Sequence, residues 1–197
     1  MHLLQQRALA DAVLIGHNTL KTDNVRLGLP KGELREQRVA RGQAPSPLRV
    51  IVSNEGRIDI ALKIFQSSIA PIVIFSTTRM PRRFQKTLRE RAALHLSEGD
   101  SVDLVRMLQQ LRTEFKVQSI ACEGGAALFR SMLELDLVDQ LNLTITPHLF
   151  GGRAAPTLTG SNPEFLPASV RCSLTEMRTV GDECFLTSRI GRRRTPK

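Results

Sequence analysis

Four short apolar runs constrain this chain more than any other feature. They are Ala12-Val13-Leu14-Ile15, Leu48 to Val52, Ile72 to Phe75 and Val117 to Cys122. Each is continuous rather than alternating, and polar residues or glycine follow closely. Runs of this kind read as strands buried on both faces. Helical patterns lie between them. Ser101 to Phe115 is the clearest, with Ser101 as N-cap, Asp103 in the first turn, and Leu104, Val105, Leu108, Leu111 and Phe115 on one face. Ala126 to Leu135 reads as a helix, Pro81 to Ala92 as a short one, and residues 1–10 as the end of another, with Leu3, Leu4, Arg7 and Ala8 at helical spacing. Strands alternating with helices make an α/β layered domain with a mainly parallel sheet.

The rest of the chain fills in around this frame. Gln140 to Thr146 reads as a strand, and Leu94 to Leu96 as an edge strand. Val170 to Met177 and Glu183 to Ile190 read as an antiparallel hairpin turning through Val180-Gly181-Asp182, which makes the sheet mixed. Residues 17–24 are expected to be a polar loop and residues 28–47 a long surface loop. The segment between Val52 and Ile72 is expected to cross over with a brief helix. One domain over residues 1–190 and a basic tail over 191–197 follow. In parallel sheets ligands gather at the carboxyl ends of the strands. Here those ends are Gly16 to Asp23, Ser53-Asn54, Ser76 to Arg79 and Glu123 to Gly125.

Composition narrows the function classes. No apolar stretch approaches the length of a membrane span, and the first residues lack the pattern of a secretory signal. Three cysteines, far apart and odd in number, suit a reducing, cytoplasmic setting. Neither they nor the four histidines have metal-ligand spacing. The net charge is +9, but Arg189, Arg192, Arg193, Arg194 and Lys197 supply about half of it. Trp and Tyr are absent, which argues against a nucleic-acid partner that stacks bases. A positive surface also suits anionic small molecules.

The run Cys122-Glu123-Gly124-Gly125-Ala126 carries the chemistry. A strand ends at a carboxylate and two glycines, and a helix begins at once. Helix starts present free N–H groups to anions, and glycine lets a backbone approach a ligand closely. The pattern suggests a phosphate-bearing ligand beside one acid. An ordinary strand-to-helix turn accounts for the glycines equally well. Cys122 reads as a small core residue, His17 as a solvent-facing one, and Met132, Leu133 and Leu135 as core.

The segments ADAVLIGHNTLKTDN (10–24), LRVIVSN (48–54) and SIACEGGAALFRSMLELDLVDQLNLTITPHLFGG (119–152) together resemble the reductase domain of bacterial riboflavin biosynthesis. The resemblance implies a dihydrofolate-reductase-like three-layer αβα domain, NADPH as cofactor, and reduction of 5-amino-6-(5-phosphoribosylamino)uracil to its ribitylamino product. It also implies a homodimer and a possible deaminase partner. By position, Thr19, Asp23 and Asn54 match cofactor contacts. Gly124, Gly125, Ala126, Ala127 and Leu128 match the diphosphate site. Glu123 matches the substrate-contacting acid, and Leu27 a substrate-pocket position. Glu123 and Asp23 are the acids to which a catalytic role falls, Glu123 anchoring substrate and Asp23 orienting the cofactor amide or a water. Arg79, at the end of Ser76-Thr77-Thr78-Arg79, is read either as holding the cofactor's 2′-phosphate or as part of a solvated turn.

Two departures stand out. Relatives carry an N-terminal strand with a Ser-x-Asp-Gly-like turn, whereas this chain starts inside the helix that follows, so a central strand is expected to be missing. After the first loop, relatives often read Asp-Asp-Pro-x-Leu-Thr-Val-Arg. Here the stretch is Asp23-Asn24-Val25-Arg26-Leu27-Gly28-Leu29-Pro30, so Lys31 or Arg26 becomes the candidate for the substrate phosphate. A related diaminopyrimidine or pterin reductase, or a degenerate nucleotide-binding relative, remains as the alternative.

Overall fold

The computed structural model describes residues 2–149, 151–152, 155, 157–160 and 164–191. The chain divides into two units, one up to Gly125 and the other from Ala126 on. The first unit runs α1 (His2–Leu9), β1 (Ala12–Gly16), α2 (His17–Asp23), α3 (Glu33–Ala40), β2 (Leu48–Ser53), β3 (Ile72–Thr77), α4 (Arg82–Arg89), β4 (Ala93–Ser97), α5 (Leu104–Glu114) and β5 (Ile120–Cys122).

Its five strands form one parallel sheet in the order β4-β3-β2-β1-β5. The central strands are the apolar runs of the sequence, and β4 takes the edge position expected of Leu94 to Leu96. Val13, Leu14, Val50, Ile51, Val73 and Ile74 are fully buried. Because successive side chains point to opposite faces, both faces of the sheet are covered. Each such side chain contributes about 1.5–3 kcal/mol by leaving water.

Residues 17–24 are not a loop but the helix α2. Its His, Asn, Thr and Asp residues are weak helix formers, which hides it in the sequence. One side chain holds it down: Leu20 is fully buried. Asn24 closes it in the left-handed region at φ 46, its N–H donating to Leu20 O at 2.9 Å. The expected loop over 28–47 also contains a helix, α3. Its buried face is led by Arg38 rather than by apolar residues, so no hydrophobic periodicity announces it. Among the described residues, the crossing from β2 to β3 has turns and no helix. Ser101 does not cap α5. Asp103 does, accepting from Arg106 N–H at 3.0 Å, and Val105 faces out while Met107 is buried.

Two arginines replace apolar side chains in this interior. Arg38 donates through Nε to Ala44 O at 2.8 Å and through Nη1 to Ala8 O at 3.1 Å and to Ala10 O. Arg41 donates to Ala8 O at 2.8 Å. Together they satisfy the carbonyls at the end of α1. Arg49, near the start of β2, donates to Ile64 O at 2.7 Å, to Ser67 O at 2.8 Å and to Ala70 O. Burial pushes its guanidinium down to about 10, so it stays charged at neutral pH.

The second unit comprises α6 (Ala126–Glu134), β6 (Gln140–Ile145), β7 (Cys172–Val180) and β8 (Glu183–Ile190). The hairpin turns at Gly181, φ 61, as its sequence required. Its strands join β6 in a separate antiparallel sheet of order β6-β8-β7, with an irregularity between Leu174 and Glu176. The antiparallel component therefore has its own sheet, and the five-stranded one is parallel throughout. Within this unit Arg130 is buried and fully engaged, donating to Glu164 O and Phe165 O at 2.9 Å and pairing with Glu134 at 2.8 Å. Of the basic tail, residues 192–197 lie outside the described residues, as do Phe150 and Pro156.

Candidate active site

Parallel strands place their carboxyl ends along one edge, and the register fixes which ends meet. β1 and β5 pair Leu14 with Cys122. The ladder continues past both strands: Glu123 N–H donates to Leu14 O at 2.9 Å and Gly16 N–H to Gly124 O at 2.7 Å. The acid and the first glycine therefore lie beside Gly16, where α2 starts. Thr19, on the first turn of α2, meets the second glycine. A Cβ at Gly125 would sit 2.3 Å from Thr19 Oγ1, far inside contact distance. Gly124 has φ 85, a conformation that favours glycine. The peptide between Gly124 and Gly125 is cis. These glycines thus have structural reasons in this unit: one for its backbone angle, one for the hydroxyl against it.

Glu123 is nearly buried, and its carboxylate is held by an arginine that the sequence did not single out. Arg7 of α1 donates from Nε to Oε1 at 2.5 Å and from Nη2 to Oε2 at 2.7 Å. Both side chains are about 10 % exposed. The third branch, Nη1, donates to Gly28 O at 3.1 Å. Leu27, next to it, has φ 56 and its side chain lies in the core cluster with Val13, Ile15 and Leu20. The signal for Arg7 was present: a charged residue sharing the helical spacing of Leu3, Leu4 and Ala8. Its partner, 116 residues away, was not readable.

The other candidates are spread along the same sheet edge. Asn54 follows β2, and its Oδ1 accepts from Val102 N–H at 3.0 Å. The Ser76 and Thr77 hydroxyls donate to Ser53 O at 2.6 Å and Asn54 O at 2.7 Å, so both are committed to β2. Arg79 stands at the end of β3, half exposed, pairing with Asp100 at 3.2 Å. Asp23 is exposed at the far end of α2, about 10 Å along the helix from the strand end by the helical rise. Asp23 thus stands at the opposite end of α2 from Gly16, beside which Glu123 lies. Lys31 and Arg26 are exposed. Ala126, Ala127 and Leu128 form the first turn of α6 in the second unit, which holds no acidic residue. There Gly160, φ 87, lies over that turn, with its Cβ position 3.6 Å from Ala126 Cβ.

Titration behaviour follows position. His17 is half-buried at the start of α2; burial pushes it below its ordinary value, Lys21 adds to this, and Glu55 opposes it. Burial pushes the Cys122 thiol up, with Glu123 adding and a Gly124 N–H opposing, which suits a packed thiol and not a nucleophile. Among the described residues no cluster of His, Cys, Asp and Glu is arranged to hold a metal. No helix among them is long and apolar enough to cross a membrane.

A parallel five-stranded sheet with an acid and a glycine pair at one strand end defines an α/β protein whose candidate site lies at the carboxyl edge of that sheet. The chain belongs to the RibD C-terminal domain family, whose pattern matches residues 2–186. It is 28 % identical over 186 residues to the 2,5-diamino-6-ribosylamino-4(3H)-pyrimidinone 5′-phosphate reductase of Archaeoglobus fulgidus, covering 94 % of this chain and 82 % of that one. It is 27 % identical to the riboflavin biosynthesis protein RibD of Escherichia coli, covering 91 % of this chain and 49 % of that one, about half its length. In fold it is similar to a pyrimidine reductase-like protein of Corynebacterium diphtheriae, with TM-score 0.78, 22 % identity, and coverage of 97 % of this chain and 80 % of that one.

Proposed function

We propose that the protein reduces 5-amino-6-(5-phosphoribosylamino)uracil to the ribitylamino product of riboflavin biosynthesis. The observation that carries this is Glu123 at the end of β5, held beside the Gly124-Gly125 pair that Thr19 abuts. It stands in a chain of the RibD C-terminal domain family. The reductase class calls for a nicotinamide hydride donor, and NADPH is the one proposed. In the reaction the ribose ring opens to an imine at C1′, hydride adds to C1′, a proton goes to the nitrogen, and NADP⁺ leaves. The protein's part is to hold the two reactants in register and to exclude competing geometries.

Glu123 is the residue assigned to substrate, through the lone pairs left free by Arg7. The cofactor residues are Thr19, Asn54, Gly124 and Gly125 in the first unit and Ala126, Ala127 and Leu128 in the second. Asp23, exposed on α2, is assigned to the cofactor amide or a water, and Arg79 to the 2′-phosphate, in exchange for its exposed partner Asp100. Lys31 is the candidate for the substrate phosphate. A homodimer, cytoplasmic location and a deaminase partner supplying the substrate complete the reading.

The match to the Archaeoglobus fulgidus reductase over most of its length favours a second substrate, the 2,5-diamino-pyrimidinone that its name specifies. Mixing the protein with NADPH and each pyrimidine in turn tests both. Loss of NADPH absorbance with either one supports the reductase, and the faster substrate decides between them. Glu123→Gln is expected to lower kcat/KM at least about a hundredfold, a loss of about 2.7 kcal/mol in transition-state binding. Turnover unchanged in a folded Glu123→Gln would remove its role.

A further inference from the structure

We infer that Arg7 is the positioning residue of this site. It fixes the Glu123 carboxylate as a hydrogen-bond acceptor and sets its distance to the Leu27-Gly28 segment. This rests on the function just proposed, and deepens it.

The geometry is specific. Arg7 spends all three nitrogens of its guanidinium: two on opposite oxygens of one carboxylate and the third on Gly28 O. A planar fork facing a carboxylate holds the carboxylate plane as well as its place. Each carboxylate oxygen has about two acceptor sites, so about one per oxygen remains after Arg7 has taken its share. Those sites accept from N–H or O–H groups. A carboxylate in this pairing is an anchor for a donor-bearing edge, such as an amino-pyrimidine or a sugar hydroxyl pair, rather than a source of protons. The proton added during reduction then comes from water or from the substrate itself.

Arg7 is in turn held from behind. The carbonyls of Ala8 in α1 and of Ala10 just after it accept from Arg38 of α3, and Ala8 O accepts also from Arg41, which caps α3. The Gly28 segment is packed on its other side: a Cβ at Gly28 would lie 1.9 Å from Ile69 Cδ1, so backbone and side chain are in close contact there. Arg7 thus joins three fixed pieces: the end of α1, the end of β5, and the turn after Leu27. Lysine offers a charge at this position but no fork, so it can reach the carboxylate or Gly28 O but cannot orient both.

The test is Arg7→Lys, with Arg7→Ala beside it. Both are checked for folding by thermal melting, and steady-state kinetics are run with the pyrimidine and NADPH varied separately. Arg7→Lys is expected to raise KM for the pyrimidine about tenfold, with kcat within about threefold and KM for NADPH unchanged; tenfold corresponds to about 1.4 kcal/mol. Added guanidinium ion is expected to lower the raised KM of Arg7→Ala. Wild-type turnover with an unchanged pyrimidine KM in Arg7→Lys overturns the inference alone, as does equal weakening of both ligands in a folded variant. If Arg7→Lys does not fold, guanidinium rescue of Arg7→Ala decides, and its failure overturns the inference. Wild-type protein without turnover overturns the function and this inference with it.

Discussion

A single methyl group at Gly125 probes the site directly. In Gly125→Ala the new Cβ would stand 2.3 Å from Thr19 Oγ1, where ordinary contact begins at 3.4 Å. About 1 Å of displacement is needed. Thr19 sits on α2, where threonine has two open rotamers, so either the hydroxyl leaves its present rotamer or the backbone gives way. Overpacking of this kind costs about 1–3 kcal/mol. Removing the obstacle should restore the room: with Thr19→Ala the nearest remaining Thr19 atom is Cβ at 3.7 Å, an ordinary contact. The double variant should therefore recover most of what Gly125→Ala loses, a coupling energy of about 1–3 kcal/mol. Urea melts of the four proteins measure it, and NADPH titration should show the same order, with Gly125→Ala about tenfold weaker or worse. Strictly additive losses would refute the steric account and with it the seating of the glycine pair against α2.

Two further changes test the scaffold behind the site. Arg49→Met leaves Ile64, Ser67 and Ala70 without their shared donor, so stability should fall by about 3 kcal/mol in urea melts, while folded protein keeps its NADPH affinity because Arg49 lies near the start of β2; a loss below about 1 kcal/mol would count against it. Asp11 is pushed up by partial burial, but N–H donors at Gln118 and Ser119 and the Gln43 and Ser119 side chains outweigh this and hold it below its ordinary value. Its contribution is present above pH 3.8, the ordinary value, and is lost as pH falls through the lowered one. Asp11→Asn should therefore melt lower than wild type at pH 7, with the gap narrowing in acid; a gap independent of pH would contradict the assignment.

What the sequence disclosed and what it hid divide along a physical line. Local, apolar information was legible: the runs at Ala12, Leu48 and Ile72, the hairpin at Gly181 and the helix after Gly125 stand where patterning put them, and with them the α/β class. Polar burial was not. α3 escaped notice because the residue it buries most deeply is Arg38, and α2 because a single leucine anchors a helix in which five of the seven residues are poor helix formers. Ser101 was read as the cap of α5, and the bond from Arg106 N–H to Asp103 moves the cap two residues on. At the site, Glu123 and the glycines announced themselves by their spacing. Arg7 and Thr19 act through residues more than a hundred positions away, and one sequence carries no record of such pairs.

β5 lies at one end of its sheet and, among the described residues, pairs with β1 alone. Ile120, Ala121 and Cys122 place no charge, proline or bulge on that outer side, the devices by which proteins usually discourage unwanted strand addition. An edge strand without such devices is a template on which a further strand can pair. Solubility during purification thus becomes a readout of how this margin is covered, and a lysine in place of Ala121 is the change by which to watch it.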